Sequence, residues 1–158
     1  MEKFTLVTGG TGYIGSHTSV ALMEAGYQVV IVDNLVNSSK KVLSRIEQIT
    51  GTAPVFIEAD LRDTSTIIEI FSDYPITSVV HFAGLKAVGE SVEEPVKYYD
   101  NNLGSTLSLL DAMASSKVST LVFSSSATVY SPSEIAPFDE AAELGPTNPY
   151  GMSKYFIE

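Results

Sequence analysis

The chain has 158 residues, 44% of them hydrophobic and 18% charged, which excludes a disordered or fibrous polypeptide and suits one domain with a single buried core. Its net charge of −10 sets up a field that repels nucleic-acid phosphates, so no nucleic-acid partner is expected. With no cysteine and two histidines, disulfides, thiolate chemistry and a transition-metal site are not expected either. No apolar run reaches the length of a membrane span, and Met1 leads directly into a short apolar stretch without the pattern of a signal peptide. A cytoplasmic protein with no membrane partner is the expectation.

In chain order, Phe4 to Thr8 is the near-continuous apolar run of a strand buried on both faces. A glycine-rich turn follows, and then a helix from about Tyr13 with Ile14, Thr18, Ala21, Leu22 and Ala25 on its apolar stripe, closed by Gly26. The second strand is Gln28 to Val32. A helix carrying Val42, Leu43, Ile46 and Ile49 ends at Gly51, and Val55 to Glu58 is the third strand. Ile67, Ile68, Ile70 and Phe71 mark a helix before Pro75, with Ser78 to Phe82 as the fourth strand. A long helix runs from Pro95 to about Ser116, interrupted by the poor formers Asn101 and Asn102, which points to a local functional contact there, and Thr120 to Ser124 is the fifth strand. The proline-rich stretch from Ser131 to Pro149 reads as a surface loop, and Tyr150 to Glu158 opens a helix with neither a closing glycine nor terminal cations, as if cut short. Alternating strands and helices of this kind make an α/β fold, a doubly wound parallel sheet of the Rossmann type.

The turn Thr8-Gly9-Gly10-Thr11-Gly12-Tyr13-Ile14-Gly15 lies between a strand and a helix, the context in which a glycine pattern signals a dinucleotide site. Gly9 permits the tight turn, Gly12 leaves room for a pyrophosphate at the helix N-terminus, and Gly15 lets the helix lie close on the sheet. Asp33 follows the second strand, where a carboxylate accepts from the ribose hydroxyls and repels a 2′-phosphate, which favours NAD over NADP. Asp60, after the third strand, is placed to meet the adenine edge.

Tyr150 and Lys154 are four residues apart on one helix face, so the ammonium stabilises the phenolate form and suits Tyr150 to general-base work. The triplet Ser124-Ser125-Ser126 stands at the carboxyl end of the fifth strand, where open parallel sheets bind their ligands. One of these hydroxyls would hold a substrate hydroxyl, while at least one of the others caps the strand. His81 reads as a satisfied core histidine rather than a catalyst, His17 on the first helix is similarly unpromising, and Tyr98-Tyr99 reads as packing or a dimer contact.

These residues resemble those of the nucleotide-sugar epimerases in the extended short-chain dehydrogenase/reductase family. Beyond the glycine turn, the likeness is carried by Asp33-Asn34-Leu35, by His81-Phe82-Ala83-Gly84-Leu85-Lys86-Ala87-Val88-Gly89-Glu90-Ser91, by Tyr98-Tyr99-Asp100-Asn101-Asn102, by Ser124 through Tyr130, and by Pro149-Tyr150-Gly151. The resemblance implies Ser126, Tyr150 and Lys154 as catalytic residues. It implies an NAD site formed by Gly9, Gly12, Tyr13, Ile14, Gly15, Asp33, Asn34, Leu35, Asn37, Ser38, Asp60, Leu61, Phe82, Ala83, Gly84, Lys86, Asn101 and Ser124, together with Tyr150 and Lys154. The activity implied is conversion between UDP-glucose and UDP-galactose through a 4-keto sugar.

Related dehydratases carry an Asp-Glu pair just after the serines, where this chain has Ala127 and Thr128; without that acid and base, epimerisation is the better reading. Ser131 stands where the family usually has glycine. The chain is about half the family's length, so the last strands, the C-terminal substrate domain and most of the UDP-sugar contacts are missing. A homodimer in the full-length protein, weakened here, and an inactive fragment are expected. The alternatives are a non-catalytic NAD-binding module or another nucleotide-sugar epimerase or dehydratase.

Overall fold

The computed structural model of the chain describes residues 3–133 and 136–158. Glu134 and Ile135, within the expected loop, lie outside the described residues. The elements run β1 (Phe4–Thr8), α1 (Tyr13–Glu24), β2 (Gln28–Asp33), α2 (Lys41–Thr50), β3 (Val55–Glu58), α3 (Thr64–Asp73), β4 (Ile76–His81), α4 (Val88–Glu93), α5 (Pro95–Ser115), β5 (Leu121–Phe123), a single 3-10 turn (Ala127–Val129) and α6 (Pro149–Ile157). Compactness divides the chain into two units, Met1–Ala83 with Leu107–Ser124 and Gly84–Thr106 with Ser125–Glu158.

The first unit contains the sheet, ordered β3-β2-β1-β4-β5, with every pair parallel. Alternation along the central strands sends side chains to both faces. Leu6, Val30, Val32 and Val79 pack with Ile67, Ile70 and Phe71 of α3 and with Leu109, Ala112 and Met113 of α5. Val7, Val29 and Ile31 pack on the other face with Ile46 of α2 and with Val20, Leu22 and Met23 of α1. A sheet covered on both faces is why these strands read as unbroken apolar runs.

The helix ends have local causes. Gly51 closes α2 in the left-handed conformation at φ 75°. Asp63 caps α3 by accepting from the Thr66 amide at 3.2 Å. In the second unit, Asn148 accepts from the Gly151 amide at 2.8 Å and Pro149 takes the first position of α6.

Several expectations need correction. The buried face of α1 is Gly15 and Ser19, with Leu22 partly covered, while Ile14, Ala21 and Ala25 are exposed. Close approach to the glycine turn decides this, because a Cβ on Gly15 would run into the Gly9 carbonyl oxygen, so only small residues fit there. Ile49 of α2 and Ile68 of α3 also face outward. β4 starts at Ile76 rather than Ser78 and ends one residue early, β5 is three residues long, and β2 runs on through Asp33. α4 and the 3-10 turn were not foreseen, since pieces of six and three residues are too short to show a period. Asn101 and Asn102 do not interrupt α5, which continues through them.

Candidate functional site

In the first unit the glycine turn is wound tightly. Gly9 has φ +66°, donates its amide to the Val32 carbonyl at 2.8 Å, and accepts from the Gly12 amide at 3.1 Å. A Cβ on Gly9 would stand 2.7 Å from the Ala83 amide nitrogen, so the turn is pressed against the end of β4. Gly10, which spacing did not single out, is constrained as well, because its Cβ would lie 2.7 Å from Ile31 Cγ2. Gly12 differs: its Cβ would meet only the Gly9 oxygen, at 3.2 Å, and α1 begins there with no side-chain cap and no acidic residue in its first turn. Amides left uncapped at an open glycine suit an anionic phosphate. Tyr13 and Ile14, the next two residues, are exposed.

Asp33 ties this turn to the loop after β2. One carboxylate oxygen accepts from the Thr11 amide at 3.1 Å, and the other from the Leu35 amide at 2.8 Å and the Ser38 hydroxyl at 3.0 Å. Thr11, 2% exposed, shares a further hydrogen bond with Ser38 at 2.7 Å. Thr11 escaped the sequence reading because nothing in its spacing marks it. Three accepted bonds leave the carboxylate some acceptor capacity for a ligand. Leu35 is held at φ +60°, a conformation that costs about 1–3 kcal/mol for a residue with a side chain and is sustained here by its bond to Asp33. Asn34 donates to Asp60 at 3.4 Å, while Asn37 is exposed.

Asp60 has a partner that the sequence reading missed. The Arg62 guanidinium grips it in two-pronged fashion at 3.0 and 2.8 Å, and that pairing holds the carboxyl down to about 2. Leu61 is 5% exposed and belongs to the core beneath the sheet. Phe82 and Ala83 pack on opposite faces, one against each core cluster. His81 is 1% exposed and bonds Thr8 Oγ1 through Nδ1 at 2.6 Å, as expected of a satisfied core histidine. The Ser124 amide donates to the His81 carbonyl at 3.1 Å, continuing the strand pairing.

In the second unit α6 carries the phenol and the amine. Tyr150 is half-buried, and Lys154, one turn on, is 6% exposed. Burial pushes the Lys154 amine down to about 8, so at pH 7 about nine in ten remain charged. Ser126 accepts from the Thr128 amide at 3.2 Å and the Thr128 hydroxyl at 2.9 Å, and so caps the 3-10 turn. A Cβ on Gly151 would lie 2.6 Å from the Thr128 carbonyl oxygen. Glycine is therefore what allows the turn bearing Tyr150 to close on the turn capped by Ser126. Among the described residues, the Ser125 hydroxyl is the buried polar side-chain atom without a partner.

Asn102, a poor helix former that stands out in the sequence, is 2% exposed and makes contacts that its spacing does not reveal. Its Oδ1 accepts from the Leu85 amide at 2.8 Å, and its Nδ2 donates to the Leu85 carbonyl and to Ser153 Oγ, both at 3.0 Å. Ser153 in turn donates to the Tyr150 carbonyl at 2.7 Å. A Cβ on Gly84 would lie 3.2 Å from Asn102 Oδ1 and 3.8 Å from Lys154 Nζ. The segment after β4 and the helix of Tyr150 and Lys154 are thus fastened to one buried amide. Asn101 is half-buried and Lys86 exposed. No cluster of three or more histidine, aspartate or glutamate side chains able to hold a metal occurs among the described residues, and no helix among them is long and apolar enough to cross a membrane.

Comparison with known proteins places this arrangement. Residues 5–158 match the model of the NAD dependent epimerase/dehydratase family. The chain is 55% identical over 154 residues to UDP-glucose 4-epimerase of Neisseria gonorrhoeae and 54% identical over 153 to that of Bacillus subtilis (strain 168), covering 97% of itself in both cases and 46% and 45% of those proteins. Among solved structures, UDP-glucose 4-epimerase from Bifidobacterium longum in complex with NAD+ and UDP superposes with a TM-score of 0.95 at 50% identity, over 98% of this chain and 46% of that one. The enzyme from Stenotrophomonas maltophila with bound NAD and formylated UDP-arabinopyranose superposes at 0.94, with 48% identity and similar coverage. The chain spans about half the length of the curated relatives it matches. With a glycine turn open at Gly12, a parallel sheet in the order 3-2-1-4-5 and the Tyr150–Lys154 helix all in place, the chain belongs to the NAD dependent epimerase/dehydratase family.

Proposed function

We propose that this chain is the NAD-binding part, residues 1–158, of an enzyme that interconverts UDP-glucose and UDP-galactose by inverting the sugar's C4 hydroxyl. The observation that carries the reading is the turn of α6 on which a half-buried phenol and a buried amine stand one helical turn apart, closed by Gly151 against the turn that Ser126 caps. The residues fit NAD. Open amides at Gly12 suit its pyrophosphate, and Asp33 retains acceptor capacity for its ribose.

When bound, the cofactor supplies reversible two-electron acceptance at C4. Tyr150 takes the proton of the sugar's 4-hydroxyl, Ser126 hydrogen-bonds that oxygen, and Lys154 stabilises the resulting phenolate by its charge. Loss of the hydroxyl proton and the C4 hydrogen leaves a 4-keto sugar. Return of the hydrogen to the opposite face, with reprotonation by Tyr150, gives the epimer. Ala127 and Thr128 provide neither the acid nor the base that water elimination needs, which favours epimerisation over dehydration. The remaining cofactor contacts proposed are Tyr13, Ile14, Gly15, Asn34, Leu35, Asn37, Ser38, Asp60, Leu61, Phe82, Ala83, Gly84, Lys86, Asn101 and Ser124. Exposed apolar residues on α5 (Leu107, Leu110) and α6 (Phe156) support a homodimer of the longer protein, and a cytoplasmic location accords with the chain's composition.

The test is Tyr150→Phe in the longer protein, assayed by conversion of UDP-galactose. The rate should fall by about 10²- to 10⁴-fold, the usual contribution of general acid–base catalysis, with NAD still bound. An unchanged rate removes the mechanism.

A further inference from the structure

Lys86 is exposed, yet the backbone on both sides of it is pinned. On its N-terminal side Asn102 holds both the amide and the carbonyl of Leu85, at 2.8 and 3.0 Å. On its C-terminal side the Ala87 amide donates to the hydroxyl of Tyr98 at 3.0 Å. Tyr98 and Asn102 are four residues apart on α5, hence on one face, and they are 0% and 2% exposed. The Tyr98 hydroxyl is itself fixed, since it donates to Glu90 Oε2 at 2.7 Å. Glu90 Oε1 meanwhile accepts from Lys97 at 2.6 Å.

We propose that Tyr98 is a positioning residue: together with Glu90 it anchors the Ala87 amide, so that α5 fixes the backbone on both sides of Lys86, the lysine that the proposed function assigns to the dinucleotide. The inference rests on the NAD-binding reading above and deepens it. The chemistry of the anchor suits the task. Burial and the bond to Glu90 both push the Tyr98 phenol up, so it stays a donor through the neutral range. The bonds from Lys97 and Tyr98 hold Glu90 down, so it stays an acceptor. An exposed lysine otherwise has four rotatable bonds and a mobile backbone to order on binding a ligand. A pinned backbone removes part of that entropy beforehand.

The experiment is a double-mutant cycle on NAD affinity, measured calorimetrically on the 158-residue chain with Tyr98→Phe, Lys86→Ala and the pair. Tyr98→Phe keeps the ring's packing and removes the hydroxyl. NAD Kd should rise about tenfold, the size of one hydrogen bond. In the Lys86→Ala background the same change should have less than about a third of that effect, because the lysine it positions is gone. Glu90→Gln, a partly exposed change that spares the fold, should raise Kd by about two- to threefold with the same dependence on Lys86.

Amide hydrogen exchange without cofactor supplies an independent arm. In Tyr98→Phe, exchange should speed up at Lys86 and Ala87 and stay unchanged in the sheet. Additive losses in the cycle, unchanged exchange at Ala87, or a uniform rise across the sheet each overturn the proposal. If the unaltered chain binds no NAD, the functional reading fails and takes Lys86's ligand with it. NAD binding with additive losses defeats the clamp alone.

Discussion

Lys154 is where a single residue's surroundings matter most. Its amine is 6% exposed and is pushed down to about 8 by burial, from an ordinary value of 10.5. The folded chain therefore gives up the amine's proton from about pH 8, while the unfolded chain keeps it up to about 10.5. Between those values the unfolded state binds more protons, so this residue makes stability rise as pH increases from about 8 to 10.5. Below that window the charged, buried amine is a standing cost to folding. Lys154→Met should raise the melting temperature of the cofactor-free chain at pH 7 and flatten its pH dependence across the window, as followed by thermal melts of both proteins. Identical pH slopes would show that Lys154 is not desolvated as described. A buried lysine that costs stability fits a role that needs its charge, and the proposed mechanism gives it one in stabilising the phenolate of Tyr150, one turn back.

At the scale of elements, helix faces decide what each residue is worth. α3 turns Ile67 into the sheet core, fully buried, and leaves Ile68 partly exposed, whereas α2 buries Ile46 and leaves Ile49 at 62% exposure. Ile67→Ala should cost about 2–5 kcal/mol of unfolding free energy, through lost burial and the cavity left behind. Ile49→Ala should stay within about 0.5 kcal/mol, as surface changes do. Urea titrations of the two variants check the pair, and equal losses would contradict the assigned faces. The strands were legible because burial on both sides writes a run of β-branched residues that needs no partner to be recognised. Helix faces were less legible. The stripe read for α1 failed because closeness to the glycine turn, rather than apolarity, chooses Gly15 and Ser19 as its inner residues. α4 left no periodic trace, and its N-terminal neighbour Ala87 is held by Tyr98, a contact across 11 residues of chain.

At the scale of the whole molecule, the NAD binding proposed for a chain with net charge −10 would have to rely on local amides, and α1 begins with no side-chain cap on its first amides. The isolated chain should bind NAD yet show no measurable conversion of UDP-galactose, whereas a version extended to the length of its relatives should turn over. Turnover by the short chain at a rate similar to the long one would show that the residues present only in the longer relatives are not needed for the sugar. The sequence alone was enough for the parallel α/β sheet, the glycine turn, the place of Asp33 at the end of β2, and the placement of Tyr150 and Lys154 one turn apart on a single helix, because each depends on residues close together in the chain or on burial that leaves a local pattern. Only the tertiary structure revealed Thr11 as Asp33's partner, Arg62 as the clamp on Asp60, Ser126 as the cap of a short turn, and Asn102 and Tyr98 as the pins on either side of Lys86. A hydrogen bond between a side chain and a distant backbone amide has no period and no motif, so it exists only once the chain has brought the two together.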